Sequence, residues 1–219
     1  MKTISKVFSW LITLLTPFVL VFLGLRIAMT PVYLQVEYRT PGFPLDSYGF
    51  SLQDRLQWSQ IALQYLIKDA DINFLADLTF PDGSPLYNSR ELSHMQDVKN
   101  VVQPVFKIGY GIWFVALGLG IWAQWGSWWQ AYRRGLKRGG WLTVALVAAI
   151  AVFAATSFWQ FFTEFHGLFF EGDSWLFLYS DTLIRLFPMH FWQDTFLAVG
   201  VIALAGGLAL GLGLRPKSR

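Results

Sequence analysis

Four long apolar runs, near residues 7–29, 104–129, 139–162 and 191–214, constrain this chain more than any other feature. Each reaches the ~20 residues that a helix needs to cross the hydrocarbon core of a bilayer. A soluble domain of 219 residues has no use for apolar residues clustered this way, and only 14% of these residues are charged, against about 25% in soluble domains. The runs predict an all-α membrane protein: a four-transmembrane-helix bundle forming a single membrane domain over 1–219. Residues 31–103 and 163–190 are left for a cap of short helices and a short strand.

The charges orient the runs. Lys2 and Lys6 precede the first, Arg133, Arg134, Lys137 and Arg138 fall in the connection between the second and third, and Arg215, Lys217 and Arg219 close the chain. None of these segments holds an Asp or Glu; the acidic residues lie in, or at the borders of, the two remaining segments. The positive-inside rule then predicts both termini and the middle connection in the cytoplasm and the cap on the extracytoplasmic side. Topology accounts for the basic residues, so they do not argue for nucleic acid. With no cysteine, thiol catalysis, disulfides and Cys-based metal sites are excluded. The Val7–Ala28 run is too long for the core of an ordinary cleaved signal, so it reads as a retained first helix, with Pro17 as a candidate kink.

Within the cap, Val32–Tyr38 reads as the short strand, and Ser51–Ala70 as an amphipathic helix capped by Ser51 with Asp54 three residues on. A further helix starts near Ser89 and runs into the second span through Pro104. Gly109, Gly111, Gly118 and Gly120 sit in an apolar span with no preceding strand, so they read as helix-packing residues rather than a dinucleotide loop. Gly207 and Gly211, a GxxxG pair in the last span, read the same way.

All three histidines, His94, His166 and His190, fall on the cap side near span ends. Glu91 and Asp97 stand three residues either side of His94, on the same helical face, and Glu164 precedes His166 by two. These carboxylates are the candidates to orient the imidazoles. The first and second histidines reach one surface if the start of span two meets the end of span three. Phe165, Phe169, Trp175 and Trp192 are candidate pocket walls, or alternatively aromatics of an interfacial belt. His190, followed by Phe191-Trp192, reads as an interface anchor. No metal is expected, because no paired ligand spacing is present. Axial haem ligation is disfavoured by histidines at span ends rather than inside the spans.

The segments Glu91-Leu92-Ser93-His94-Met95-Gln96-Asp97-Val98 and Phe165-His166-Gly167-Leu168-Phe169-Phe170 carry a resemblance. They are followed by Trp175, Asp181-Thr182-Leu183-Ile184 and Leu186-Phe187-Pro188-Met189-His190-Phe191-Trp192. Together they resemble the bacterial lipoprotein intramolecular transacylase family over almost the whole chain. The resemblance implies transfer of the glyceryl sn-2 acyl chain of a diacylglyceryl lipoprotein to the α-amino group of its N-terminal cysteine. It implies His94 and His166 as catalytic residues, a lipoprotein N-terminus and membrane lipid as partners, and no cofactor. His166 is assigned as main base and His94 as acid or oxyanion stabiliser, with the reverse order open. The alternatives are another membrane lipid-ester acyltransferase or hydrolase using the same pair, and a non-enzymatic sensor or assembly factor.

Overall fold

Apolar stretches without turn residues wind into the longest helices. In the computed structural model, which describes residues 2–214, these are α1 (Lys2–Ala28), α5 (Ser89–Trp125), α6 (Trp129–Thr156) and α9 (Met189–Gly213). Each is long and apolar enough to cross a membrane. In α5 the charges end at Lys107, and residues 108–125 carry none. Between them lie α2 (Pro31–Glu37), α3 (Leu52–Ile67), α4 (Asn73–Ala76), α7 (Phe158–Gly167) and α8 (Thr182–Leu186). The chain is an all-α membrane protein, whose one strand-like contact among the described residues is an isolated bridge between Thr79 and Pro85. The side chain of Lys2 and residues Arg215, Lys217 and Arg219 lie outside the described residues.

The helices are shared by two compact units. One takes α1 as far as Arg26, residues 106–157 and α9 from Leu197; the other takes residues 27–105 and 158–196. Lipid tails give no hydrophobic drive between spans, so the first unit relies on close backbone approach and buried polar bonds. A Cβ on Gly140 of α6 would lie 2.6 Å from the Gly207 carbonyl oxygen of α9, so the GxxxG pair in the last span does pack as expected. In α5 only Gly109, against Phe22, and Gly120, against Tyr132, are contact glycines; Gly111 and Gly118 meet nothing within 4 Å. Pro17 cannot donate to the Thr13 carbonyl, and Gly139 of α6 comes against that freed oxygen, which a Cβ there would approach to 2.9 Å.

Two helix limits differ from the limits of the apolar runs. Arg133, Arg134, Lys137 and Arg138 lie in the first turns of α6, because the connection is only residues 126–128, with Ser127 at φ 61° making the turn. Arg138 there donates to Ser9 Oγ at 2.8 Å, and Ser9 Oγ donates to the Ala131 carbonyl at 2.6 Å, tying α6 to α1. The helix that carries the third apolar run ends at Thr156, because Ser157 is extended (φ −160°, ψ 103°), and α7 starts after it.

In the second unit, the expected strand over 32–38 is helical. Thr30 caps α2 by accepting from the Tyr33 N–H, and Pro31 occupies the first helical position, where no donor is needed. These local end signals outweigh the β-branched and aromatic composition of Val32, Tyr33 and Val36. The capping box of Ser51 and Asp54 starts α3 as expected. Ala62 and Tyr65 of α3 pack with Leu75, Leu86, Met95, Leu183 and Leu186 into the unit's main core. Arg185 of α8 pairs with Asp46 at 3.2 Å and lies over the Phe50 ring, and Arg55 donates to the Pro44 and Arg185 carbonyls. The segment before α3 is thereby fixed to α8.

Candidate functional site: two enclosed imidazoles

The site begins with the start of α5. Asn88 Oδ1 accepts from the Glu91 N–H at 3.0 Å, and Glu91 Oε2 accepts from the Asn88 N–H at 2.8 Å, a reciprocal cap that satisfies the first donors of the helix. Glu91 Oε1 accepts from the Leu183 N–H of α8 at 2.7 Å. Both oxygens of this 2% exposed carboxylate are thus committed to backbone. Glu91 fixes the helix that carries His94; it does not touch the imidazole it was expected to orient.

One turn on, His94 is buried against Phe170 (ring centroids 4.9 Å) and Phe177 (5.3 Å). His166 is buried on α7 against Phe162 (4.0 Å), Trp175 (4.7 Å), Phe170 (5.6 Å) and Phe165 (5.7 Å). The two imidazoles face each other with centroids 6.5 Å apart and planes 18° from parallel.

The polar partners differ. His166 Nδ1 lies 2.8 Å from the Phe162 carbonyl oxygen of its own helix. A carbonyl only accepts, so Nδ1 carries the proton and Nε2 presents a lone pair. His94 Nδ1 is buried without a hydrogen-bond partner. Burial pushes the His94 imidazole down to about 4, and the neighbouring His166 adds to the shift. Burial also lowers His166, opposed by its bond to the Phe162 carbonyl. Two neutral imidazoles at pH 7 are the consequence.

Among the described residues, neither Asp97 nor Glu164 hydrogen-bonds or ion-pairs with an imidazole. Glu164 is exposed and Asp97 half-buried, where a carboxylate keeps its solvation. A helix carbonyl therefore orients His166 in place of a carboxylate. Of the expected walls, Trp175 and Phe165 touch His166. Phe169 packs edge-on against Phe165 (5.2 Å) and Trp192 lies tilted against Phe162 (6.1 Å), one layer back. Phe162, Phe170 and Phe177 complete the enclosure and were not singled out from sequence. The first two stand four residues either side of His166, a helical spacing that pointed to them; Phe177, from the irregular segment after α7, gave no such signal. His190 is apart from this enclosure. It pairs with Asp194 at 3.2 Å and packs on Phe43. Among the described residues no three His, Asp or Glu side chains come together as metal donors.

Residues 10–192 match the family model described as lipoprotein intramolecular transacylase Lit. A protein of Aquifex aeolicus, described as uncharacterized, is 29% identical over 222 residues, which cover 97% of this chain and 95% of that protein. Among solved structures, the membrane-integral lipoprotein intramolecular transacylase Lit from Bacillus cereus superposes with a TM-score of 0.66 at 20% identity, covering 96% of this chain and 94% of its own. A histidine-to-alanine variant of that protein gives 0.68 at 22% identity, with 95% and 92% covered. At such identities these structures share the fold.

Proposed function

The chain belongs to the lipoprotein intramolecular transacylase family and is a membrane acyltransferase, and on that premise we propose that it moves the sn-2 acyl chain of a diacylglyceryl lipoprotein to the α-amino group of the same molecule's N-terminal cysteine. The observation that carries this reading is the pair of buried imidazoles 6.5 Å apart in a wall of aromatic rings. An α-amine must be unprotonated to attack an ester. The ammonium proton is lost to water, and as the neutral amine adds to the ester the Nε2 lone pair of His166, held by the Nδ1–H bond to the Phe162 carbonyl, takes one of its two N–H protons. The amine nitrogen bonds to the ester carbon, the C–O bond to glycerol breaks, and the proton ends on the departing glyceryl oxygen. His94 is the partner imidazole that stabilises the tetrahedral oxyanion. Amine and ester belong to one substrate, so the enclosure contributes by holding them together and keeping out the water that would hydrolyse the ester. The charge pattern supports an inner-membrane enzyme with the cap on the outer side, where a lipoprotein N-terminus is presented.

The test is to incubate the purified protein with a diacylglyceryl lipopeptide and follow the products by mass spectrometry. Transacylation keeps the total mass and moves one acyl group onto the N-terminal fragment. Loss of one acyl mass instead would replace this reading with lipid-ester hydrolysis by the same pair.

A further inference from the structure

The threonine side chains described in these helices donate to backbone carbonyls, that of Thr182 in α8 to Leu86. Thr13, Thr16, Thr143 and Thr195 each donate to the carbonyl four residues back, at 2.7–2.9 Å, and Thr156 donates to the carbonyl three residues back at 2.7 Å. This is the usual fate of a helical hydroxyl in apolar surroundings. Thr163 on α7 is the exception: its Oγ1 is buried and has no partner. It precedes His166 by three residues, about 60° around the helix from it, with about 5–6 Å between the two Cβ atoms. Phe162 flanks His166 on the other side of the same face. A buried hydroxyl with both its donor and its acceptor unspent is costly and calls for a reason.

The donors available in the site supply one. A tetrahedral intermediate places a negative charge on the former carbonyl oxygen, which needs fixed donors. The one N–H of His166 is spent on the Phe162 carbonyl. Arg90, on the first turn of α5, is turned to the Leu176 carbonyl. A neutral His94 offers a single N–H. Besides it, the unspent hydroxyl on the His166 face of α7 is Thr163. We infer that the Thr163 hydroxyl is the second oxyanion donor of the acyl-transfer site, hydrogen-bonding the substrate's sn-2 carbonyl oxygen as the cysteine amine adds to the carbon. The inference rests on the transacylase reading and adds a residue to it. The donor keeps its proton throughout. The negative charge it stabilises is discharged when the glyceryl oxygen leaves and takes the proton that came from the amine.

Single-turnover and steady-state kinetics on the diacylglyceryl lipopeptide test this with Thr163→Val, Thr163→Ser and Thr163→Ala, alongside His166→Ala. An interaction made chiefly in the transition state predicts that Thr163→Val lowers kcat by about 10²-fold while KM stays within about twofold. Serine keeps the O–H and restores most of the rate; alanine does not. The melting temperature of the valine variant holds or rises, because the lost hydroxyl had no partner in the folded protein. Should the valine variant not fold, the serine and alanine variants give the same comparison. An unchanged kcat in Thr163→Val, an effect confined to KM, a lowered melting temperature with kcat intact, or a serine variant as slow as alanine would overturn the inference. If His166→Ala is inactive while Thr163→Val is fully active, only the role of Thr163 falls. If His166→Ala also retains full activity, the reading of the whole site falls.

Discussion

His94 and His166 share a cap with His190 but not an environment. The first two are buried and surrounded by rings, and among the described residues neither hydrogen-bonds to a carboxylate. The third has a side chain 38% exposed and an acid, Asp194, at 3.2 Å one turn along α9. Removing an imidazole from water penalises its cation. One residue type thus meets two surroundings within one unit: a dry wall of rings around the first two, and an exposed position beside a carboxylate for the third. Sequence proximity to acids is a poor guide here. His94 has Glu91 and Asp97 at helical spacing and touches neither.

The comparison breaks most visibly in activity. His166→Ala or His94→Gln is expected to slow transacylation by about 10²- to 10⁴-fold, the range that proton transfer contributes, with the fold intact by circular dichroism. Acid is the next probe. The folded His94 titrates near 4 and the unfolded one near 6.5, so the stability contributed by the neutral ring is complete above pH 6.5. As pH falls from 6.5 through about 4, the unfolded chain binds the proton first and that stability is lost, on the order of 3 kcal/mol. Melting curves in detergent at pH 7 and pH 4.5 should show the drop, and His94→Gln should remove a large part of it. A smaller effect is expected from the wall. Trp175→Ala opens the ring contact on His166 and should lower transacylation by about 10- to 100-fold while free fatty acid appears as a side product. The smallest is His190→Ala, whose exposed ion pair should be worth about 1 kcal/mol or less in stability and leave kcat within about twofold. A loss of activity in His190→Ala as large as in His166→Ala would erase the distinction between the two environments.

Much of the frame was legible from the chain alone, because apolar runs and charge asymmetry report directly on the solvent each segment meets. The helix start at Ser89, the capping box at Ser51 and the close packing at Gly207 were readable from local signals. Where reading stopped, the cause was competition between local signals or a contact distant in sequence. Val32–Tyr38 has strand composition, but Thr30 and Pro31 start a helix there. Nothing in the apolar run 139–162 marks the extended backbone at Ser157 that separates α6 from α7. Helical spacing put Glu91 on the His94 face but carried no sign of the Leu183 N–H, 92 residues away, that takes its oxygen. The meeting of His94 and His166 was suggested by family resemblance and helix order; the ring of Phe177 that closes on His94 comes from an irregular segment with no periodicity to read.

The bond from His166 Nδ1–H to the Phe162 carbonyl has a consequence for the medium in which the site works. Many catalytic imidazoles are oriented by an anion, which leaves a fixed charge whose field salt can screen. Here a backbone dipole does the orienting, and both rings at rest are uncharged. Among the described residues no charged group is hydrogen-bonded to either imidazole, so there is little for dissolved ions to screen. The chemical step should run at the same rate in dilute buffer and in brine, in a bilayer of anionic lipid and in one of neutral lipid.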